Sequence, residues 1–147
     1  MWRSPRVYLL SIAPFVVALA TALADPGPRT IDLKPGQEVT FSATIVDGRV
    51  TLGPARVSKI GTVEPKEGEI TVGVAPKVKP FYAELRAREK TAAAIDFVAT
   101  GNVGGTKIDE IVLCGRLDAP IAKLISNSAW SISLNSFEPG EGDPSCK

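Results

Sequence analysis

The stretch that decides the fold is QEVTFSATIVDGRVTL, residues 37–52. Apolar and polar residues alternate along its first ten positions, which is typical of a β-strand with one buried and one exposed face. The buried face of this strand is predicted to carry Val39, Phe41, Ala43 and Ile45. The two residues Asp47-Gly48 then supply a turn that is favoured in β-hairpins. The stretch therefore predicts an antiparallel hairpin that packs one face into a core.

The same alternation recurs along much of the chain in short segments that are separated by turns rich in Gly and Pro. About eight or nine strands with turns every 8–12 residues are typical of a two-sheet, all-β domain. The pattern predicts an immunoglobulin-like antiparallel β-sandwich, although the spacing of the two cysteines differs from that of antibody domains. Beyond that fold-level likeness, the residues indicate no particular family.

One segment favours a helix over a strand. Asp118 is a good N-cap, Pro120 is tolerated in a first helical turn, and Ile121, Leu124 and Ile125 fall on one side of a helix. The sequence therefore predicts one short helical turn near residues 119–126.

The N-terminal segment has the three parts of a secretory signal peptide. Arg3 and Arg6 form a basic start, residues 7–24 carry no charge, and small residues precede a cleavage site between Ala24 and Asp25. The alternative is a retained membrane helix, because a run of this length is at the lower edge of what spans a bilayer. We expect cleavage of residues 1–24, which leaves residues 25–147 as one β-sandwich domain in the periplasm or outside the cell, with no membrane anchor.

Two cysteines, Cys114 and Cys146, are the whole cysteine content of the chain. In an exported protein such a pair predicts one disulfide. The bond would tie the C-terminal tail, which is rich in Pro and Gly, to the strand that contains Cys114. A redox pair or a thiol for a partner is the functional alternative.

Composition limits the chemistry that is available. The chain has no histidine, which excludes Ser-His-Asp and Cys-His catalytic sites within it. Without Arg3 and Arg6 the chain holds 15 basic and 16 acidic residues, so nothing in its charge indicates nucleic acid. The residues predict no metal site and no cofactor. Adjacent carboxylates occur at Asp109 and Glu110, but neighbours in a strand point to opposite faces.

Residues 81–90, FYAELRAREK, hold the best candidate for an interaction surface. The segment alternates with period two, although its residue types also suit a helix, and we favour a strand. A strand would place Arg86, Arg88 and Lys90 in one row with Tyr82 on the same face, and we call these four residues the basic ridge. The ridge would suit an acidic protein partner or an anionic polymer. The alternative role is protection of an edge strand by charge.

These observations predict an exported binding or structural module, not an enzyme, from a bacterial host. The first alternative is an inhibitor or accessory subunit of an exported enzyme. A hydrolase that works with carboxylates alone is a further alternative. The oligomeric state, the ligand and the partner are open at the level of sequence.

Overall fold

The computed structural model describes residues 30–143, 145 and 146, with the backbone alone at residues 77–79. The predicted signal peptide, residues 1–24, and the predicted cleavage site between Ala24 and Asp25 lie outside the described residues. The described residues form nine strands: β1 (Ile31–Leu33), β2 (Gln37–Val46), β3 (Arg49–Lys59), β4 (Glu69–Lys79), β5 (Tyr82–Glu89), β6 (Ile95–Val103), β7 (Thr106–Leu113), β8 (Ile121–Ser126) and β9 (Ser131–Pro139).

The strands form two antiparallel sheets. The first has five strands in the order β3-β2-β4-β5-β8, and the second has four in the order β1-β9-β6-β7. The predicted all-β sandwich is therefore confirmed, and β2 and β3 form the hairpin expected around Asp47-Gly48. The strands pair largely as consecutive hairpins, and β1 pairs with the last strand, so the immunoglobulin-like part of the prediction is not confirmed.

The core lies between the two sheets and follows the alternation of the strands. The inward positions of β2, β4 and β5 are closed to solvent, and they meet the inward positions of β6 and β9. Phe137 packs between Phe41 of the first sheet and Phe97 of the second, at ring-centroid distances of 5.6 and 5.3 Å. The apolar face read from the sequence of β2 is thus the face that holds the sheets together.

The predicted helical turn near residues 119–126 is wrong. Residues 121–126 form β8, which pairs with β5 in antiparallel register, with Ile121 opposite Ala87 and Ile125 opposite Ala83. Ile121 and Ile125 are buried, but Leu124 is 37% exposed on the other face. The described residues contain no helix, and hence no helix long and apolar enough to cross a membrane.

The predicted disulfide between Cys114 and Cys146 is present, with a Cα–Cα distance of 5.5 Å. Cys114 follows directly after β7, at the start of the connection to β8. The bond therefore fixes the C-terminal tail beside the segment that crosses from one sheet to the other. We call residues 114–120 the β7–β8 loop.

Candidate functional site

The basic ridge lies on a strand, as the alternation predicted. Tyr82, Arg86 and Arg88 are exposed on the outer face of β5, and Lys90 is exposed just beyond the end of the strand. Because β5 has β4 on one side and β8 on the other, the ridge is on an inner strand of its sheet. Protection of an edge strand is therefore not the role of these charges.

Each arginine of the ridge has an acidic neighbour. Arg86 donates through Nε to Glu84 on the same strand, and Arg88 donates through Nη1 to both carboxylate oxygens of Glu64, at 2.6 and 2.8 Å. All four side chains are at least partly open to solvent. The two arginines of the ridge are thus ion-paired and are not bare cations.

Arg86 and Arg88 of the ridge form the floor of a groove, which we call the outer groove. One wall comes from residues 60–64, in the connection between β3 and β4, and the opposite wall from residues 120–122, where β8 begins. The groove has a volume of about 320 Å³. Its lining combines apolar side chains with charged ones: Ile60, Val63, Pro120, Ile121, Ala122, Glu64, Glu84, Arg86 and Arg88.

Glu38 fixes the first wall of the outer groove. This carboxylate, on the outer face of β2, accepts hydrogen bonds from the backbone N–H groups of Gly61, Thr62 and Val63 at 2.9, 2.9 and 2.6 Å. The hydroxyls of Ser58 and Thr62 also donate to it. Residues 61–63 therefore cannot leave the sheet without breaking several charge-assisted hydrogen bonds.

The hydrogen bonds to Glu38 also decide its ionisation. Burial raises the pKa of this carboxyl, but the backbone N–H groups of Gly61, Val63 and Thr62 stabilise the charged form and outweigh burial. The pKa of Glu38 therefore lies below its ordinary value. A carboxylate that stays charged in this way is suited to a structural role as an anchor.

A second cavity continues from the outer groove along the β7–β8 loop. It has a volume of about 360 Å³ and shares Glu64, Arg88 and Pro120 with the groove. Lys90 lines this cavity and not the groove, while Tyr82 lines neither. The structure therefore brings Arg86 and Arg88 together in one groove and leaves Tyr82 and Lys90 outside it.

Glu89 lines the second cavity, and it is unusual because an acidic side chain there is almost fully buried. It is 5% exposed, and its Oε1 has no hydrogen-bond partner in the part of the chain that the structure describes. Burial raises the pKa of Glu89 to about 7, and the neighbouring Asp96 carboxylate adds to the rise, against the N–H groups of Ile95 and Arg116. Sequence reasoning missed this residue, although it continues the inward row of Ala83, Leu85 and Ala87.

The adjacent carboxylates Asp109 and Glu110 do not form a catalytic pair. Glu110 is exposed and accepts a hydrogen bond from Lys107, whereas Asp109 is half-buried and accepts the backbone N–H of Ser126 at 2.8 Å. Asp109 thereby joins β7 to the end of β8 across the two sheets. The described residues contain no group of three or more side chains that is suited to hold a metal ion.

The fold and the site define an antiparallel β-sandwich with a charged groove on the outer face of its larger sheet. No protein-family model, no curated protein and no solved structure matches the chain. The outer groove is therefore the feature of this protein from which a function can be proposed.

Proposed function

We propose that this protein is an exported binding module that holds a segment of a partner protein in the outer groove. The proposal rests on one combined observation. The groove has fixed walls, and the two arginines of its floor have N–H groups that their ion pairs do not use. Residues 61–63 are fixed by Glu38, and the opposite wall begins a strand, so the groove exists before a partner arrives. A preformed site loses little conformational entropy on binding.

The arginines of the floor have hydrogen-bonding capacity to offer a partner. Arg86 uses Nε alone for Glu84, and Arg88 uses Nη1 alone for Glu64, while a guanidinium carries five N–H donors. Their side chains are 59% and 55% exposed. The remaining donors suit carboxylates and backbone carbonyls of a peptide segment. Arginine is also among the residues that contribute most to protein–protein binding.

The charge balance of the groove favours a protein partner over an anionic polymer. Glu64 and Glu84 stand beside the two arginines, and they would repel a continuous row of phosphates or sulfates. The apolar walls, Ile60, Val63 and Pro120, suit an apolar side chain. Mixed apolar and arginine contacts are typical of protein interfaces.

The disulfide supports the exported location. Disulfides persist in oxidising compartments, and the bond between Cys114 and Cys146 is consistent with one. Together with the predicted signal peptide, it supports the periplasm or the extracellular medium of a bacterium as the place of action.

The test is capture of partners from the cell envelope of the host by the purified protein and by a swapped-pair variant. The double variant Glu64→Arg with Arg88→Glu keeps the ion pair and the net charge but reverses its direction. We expect at least tenfold weaker capture of a specific protein, because loss of one central arginine contact often costs 2 kcal/mol or more.

The matched control removes two exposed cations outside the groove, by Arg49→Gln with Lys107→Gln. This variant should capture the same protein as the wild type. Equal capture by the wild type and the swapped-pair variant would overturn the proposal. Capture of a polysaccharide or nucleic acid in place of a protein would overturn it as well.

A further inference from the structure

We propose that Glu89 is a protonation latch for the β7–β8 loop: the loop stays closed while this carboxyl is neutral and opens when the carboxyl ionises. The loop supplies Pro120 to the wall of the outer groove, so the latch would regulate that site. The inference rests on the proposed function in one respect only, namely that the groove holds a partner. Opening of the loop is measured without a partner.

The position of Glu89 makes its charge costly. The side chain points between the sheets at the end of β5, where Oε2 accepts the N–H of Ile95 at 3.3 Å and Oε1 accepts no bond from the residues that the structure describes. A buried carboxylate oxygen without a hydrogen bond makes the charged form less stable than the neutral acid. Ionisation therefore favours any movement that admits water to Oε1.

The β7–β8 loop is the part of the structure that is placed to make this movement. Its start is firmly held, because Asp96 Oδ1 accepts the N–H of Gly115 at 2.7 Å and Cys114 is in the disulfide. Gly115 also packs directly on the backbone of Ile95, where a Cβ would lie 2.4 Å from the nitrogen. Beyond this point the loop lines the cavity that contains Glu89.

The middle of the loop is weakly packed. Leu117 is 48% exposed, and the Asp118 side chain is 76% exposed and pairs with Arg116 inside the same loop. This ion pair would move with the loop and would not have to break. Opening therefore exposes little apolar surface that is not already in water.

The charges around Glu89 do not supply a counter-ion. No Lys or Arg side chain among those that the structure describes forms a salt bridge with this carboxyl. The titratable and charged groups of the elements packed around it are Arg88 on β5 and Lys90 after it, Glu69 on β4, Glu64 before β4, Asp96 on β6, Glu138 on β9, and Arg116 and Asp118 in the loop.

Five of these eight groups are already in ion pairs. Arg88 bonds Glu64 and Arg116 bonds Asp118, while Glu69 bonds Arg56. Asp96, which lies opposite Glu138 in the sheet, is the charged side chain that acts on Glu89, and it has the same sign. The surroundings thus favour the neutral acid, in agreement with a pKa of about 7.

The direction of the pH effect follows from this pKa. An opened loop would return Glu89 towards its ordinary value of 4.5, so opening becomes more favourable as pH rises from 4.5 to 7 and levels off above that. With these two values, the equilibrium constant for opening rises about tenfold between pH 6 and pH 8.

The experiment is amide hydrogen exchange of the full chain at pH 6 and pH 8, with each rate divided by its intrinsic rate. Protection of the amides of residues 116–119 should fall about tenfold in the wild type. Glu89→Gln and Glu89→Leu should show no such fall, and the control Glu110→Gln, on the exposed face of β7, should behave as the wild type does. Asp96→Asn should move the midpoint to lower pH, because it removes the like charge.

Protection that is independent of pH in the wild type, or the same pH dependence in both Glu89 variants, would overturn the latch. Two variants are used because Gln places an N–H₂ group where Oε1 has no partner, and Leu avoids that problem. Failure of the proposed function has a different signature, since equal capture by the swapped-pair variant leaves the exchange result unchanged.

Discussion

Gly73 on β4 leaves the space that the side chain of Ile60 occupies. A Cβ at Gly73 would lie 3.1 Å from both Cδ1 and Cγ1 of Ile60 and 3.4 Å from the Cβ of Glu38. Ile60, in the first wall of the outer groove, therefore packs on β4 at a glycine, which has no side chain in its way. Glu38 binds the same wall through the N–H groups of Gly61 and Val63.

Substitution Gly73→Val should displace this wall. The added methyl groups would meet Ile60 at less than van der Waals distance, and overpacking of this kind costs about 1–3 kcal/mol. Chemical denaturation measures the loss, and amide exchange at residues 61–63 should accelerate. The control Ala75→Val lies two residues further along the same strand. If Gly73→Val keeps wild-type exchange at residues 61–63, the wall does not depend on this contact.

Substitution Glu38→Gln should make the same wall less stable and change its pH dependence. The pKa of Glu38 is lowered in the folded protein, so its contribution is present above the ordinary value of 4.5 and is lost as pH falls through the folded value. We expect a loss of about 2 kcal/mol at pH 7, as for a hydrogen bond to a charged group. The difference between variant and wild type should shrink in acid, as measured by urea unfolding at pH 7 and pH 3. A constant difference would mean that the carboxylate charge is not what anchors residues 61–63.

Replacement of both cysteines by serine should destabilise the protein without changing its fold. The disulfide joins residues 32 positions apart, and closing a loop of that size is worth about 3–4 kcal/mol in the chain-entropy model. For a chain of this length the melting temperature should fall by about 10 °C. Calorimetry measures the shift, and exchange should accelerate first at residues 140–143, 145 and 146, since these lie outside the strands. An unchanged melting temperature would show that the tail is held by other contacts.

The exported protein should begin at Asp25. Residues 22–24, Ala-Leu-Ala, place small side chains at the two positions that signal peptidases favour. Intact-mass measurement of protein recovered from the periplasm or medium checks this expectation. A mature form that retains Trp2 would favour the alternative of a membrane anchor.

The sequence predicted the strands best where alternation and turn chemistry agreed. Asp47 and Gly48 both adopt positive φ, 51° and 71°, as a tight hairpin turn requires, and β2 and β3 pair on either side of them. The row of Tyr82, Arg86 and Arg88 was predicted for the same reason, since β5 alternates without interruption.

The sequence pattern predicted a helical turn in place of β8 because a strand and a helix both place Ile121 and Ile125 on one side. Lys123 shares that inward side, opposite Leu85, but it is exposed, and this breaks the visible alternation. Only the pairing with β5, which lies some 40 residues earlier, decides for a strand.

The sequence could not predict the outer groove or the neighbouring second cavity, for a related reason. Glu38, Glu64 and Pro120 come from three separate parts of the chain, and nothing local links them. Glu89 did stand at an inward position of a predicted strand, so a buried acid was visible in the pattern. That this acid lies beside Asp96 and accepts the N–H of Ile95 at Oε2 depends on contacts that only the folded chain makes.

The pairing of β1 with β9 determines when folding can finish. Ile31 lies opposite Leu134, so β1 can pair in the smaller sheet only when β9 is also in place. Closing the long loop between β1 and β9 costs conformational entropy before the contacts between these strands form. Completion of the smaller sheet is therefore expected to be slow and late in folding. A chain truncated before β9 would leave β1 unpaired and one edge of β6 open to other chains. Pairing by β9 therefore decides whether the smaller sheet is complete or has open edges.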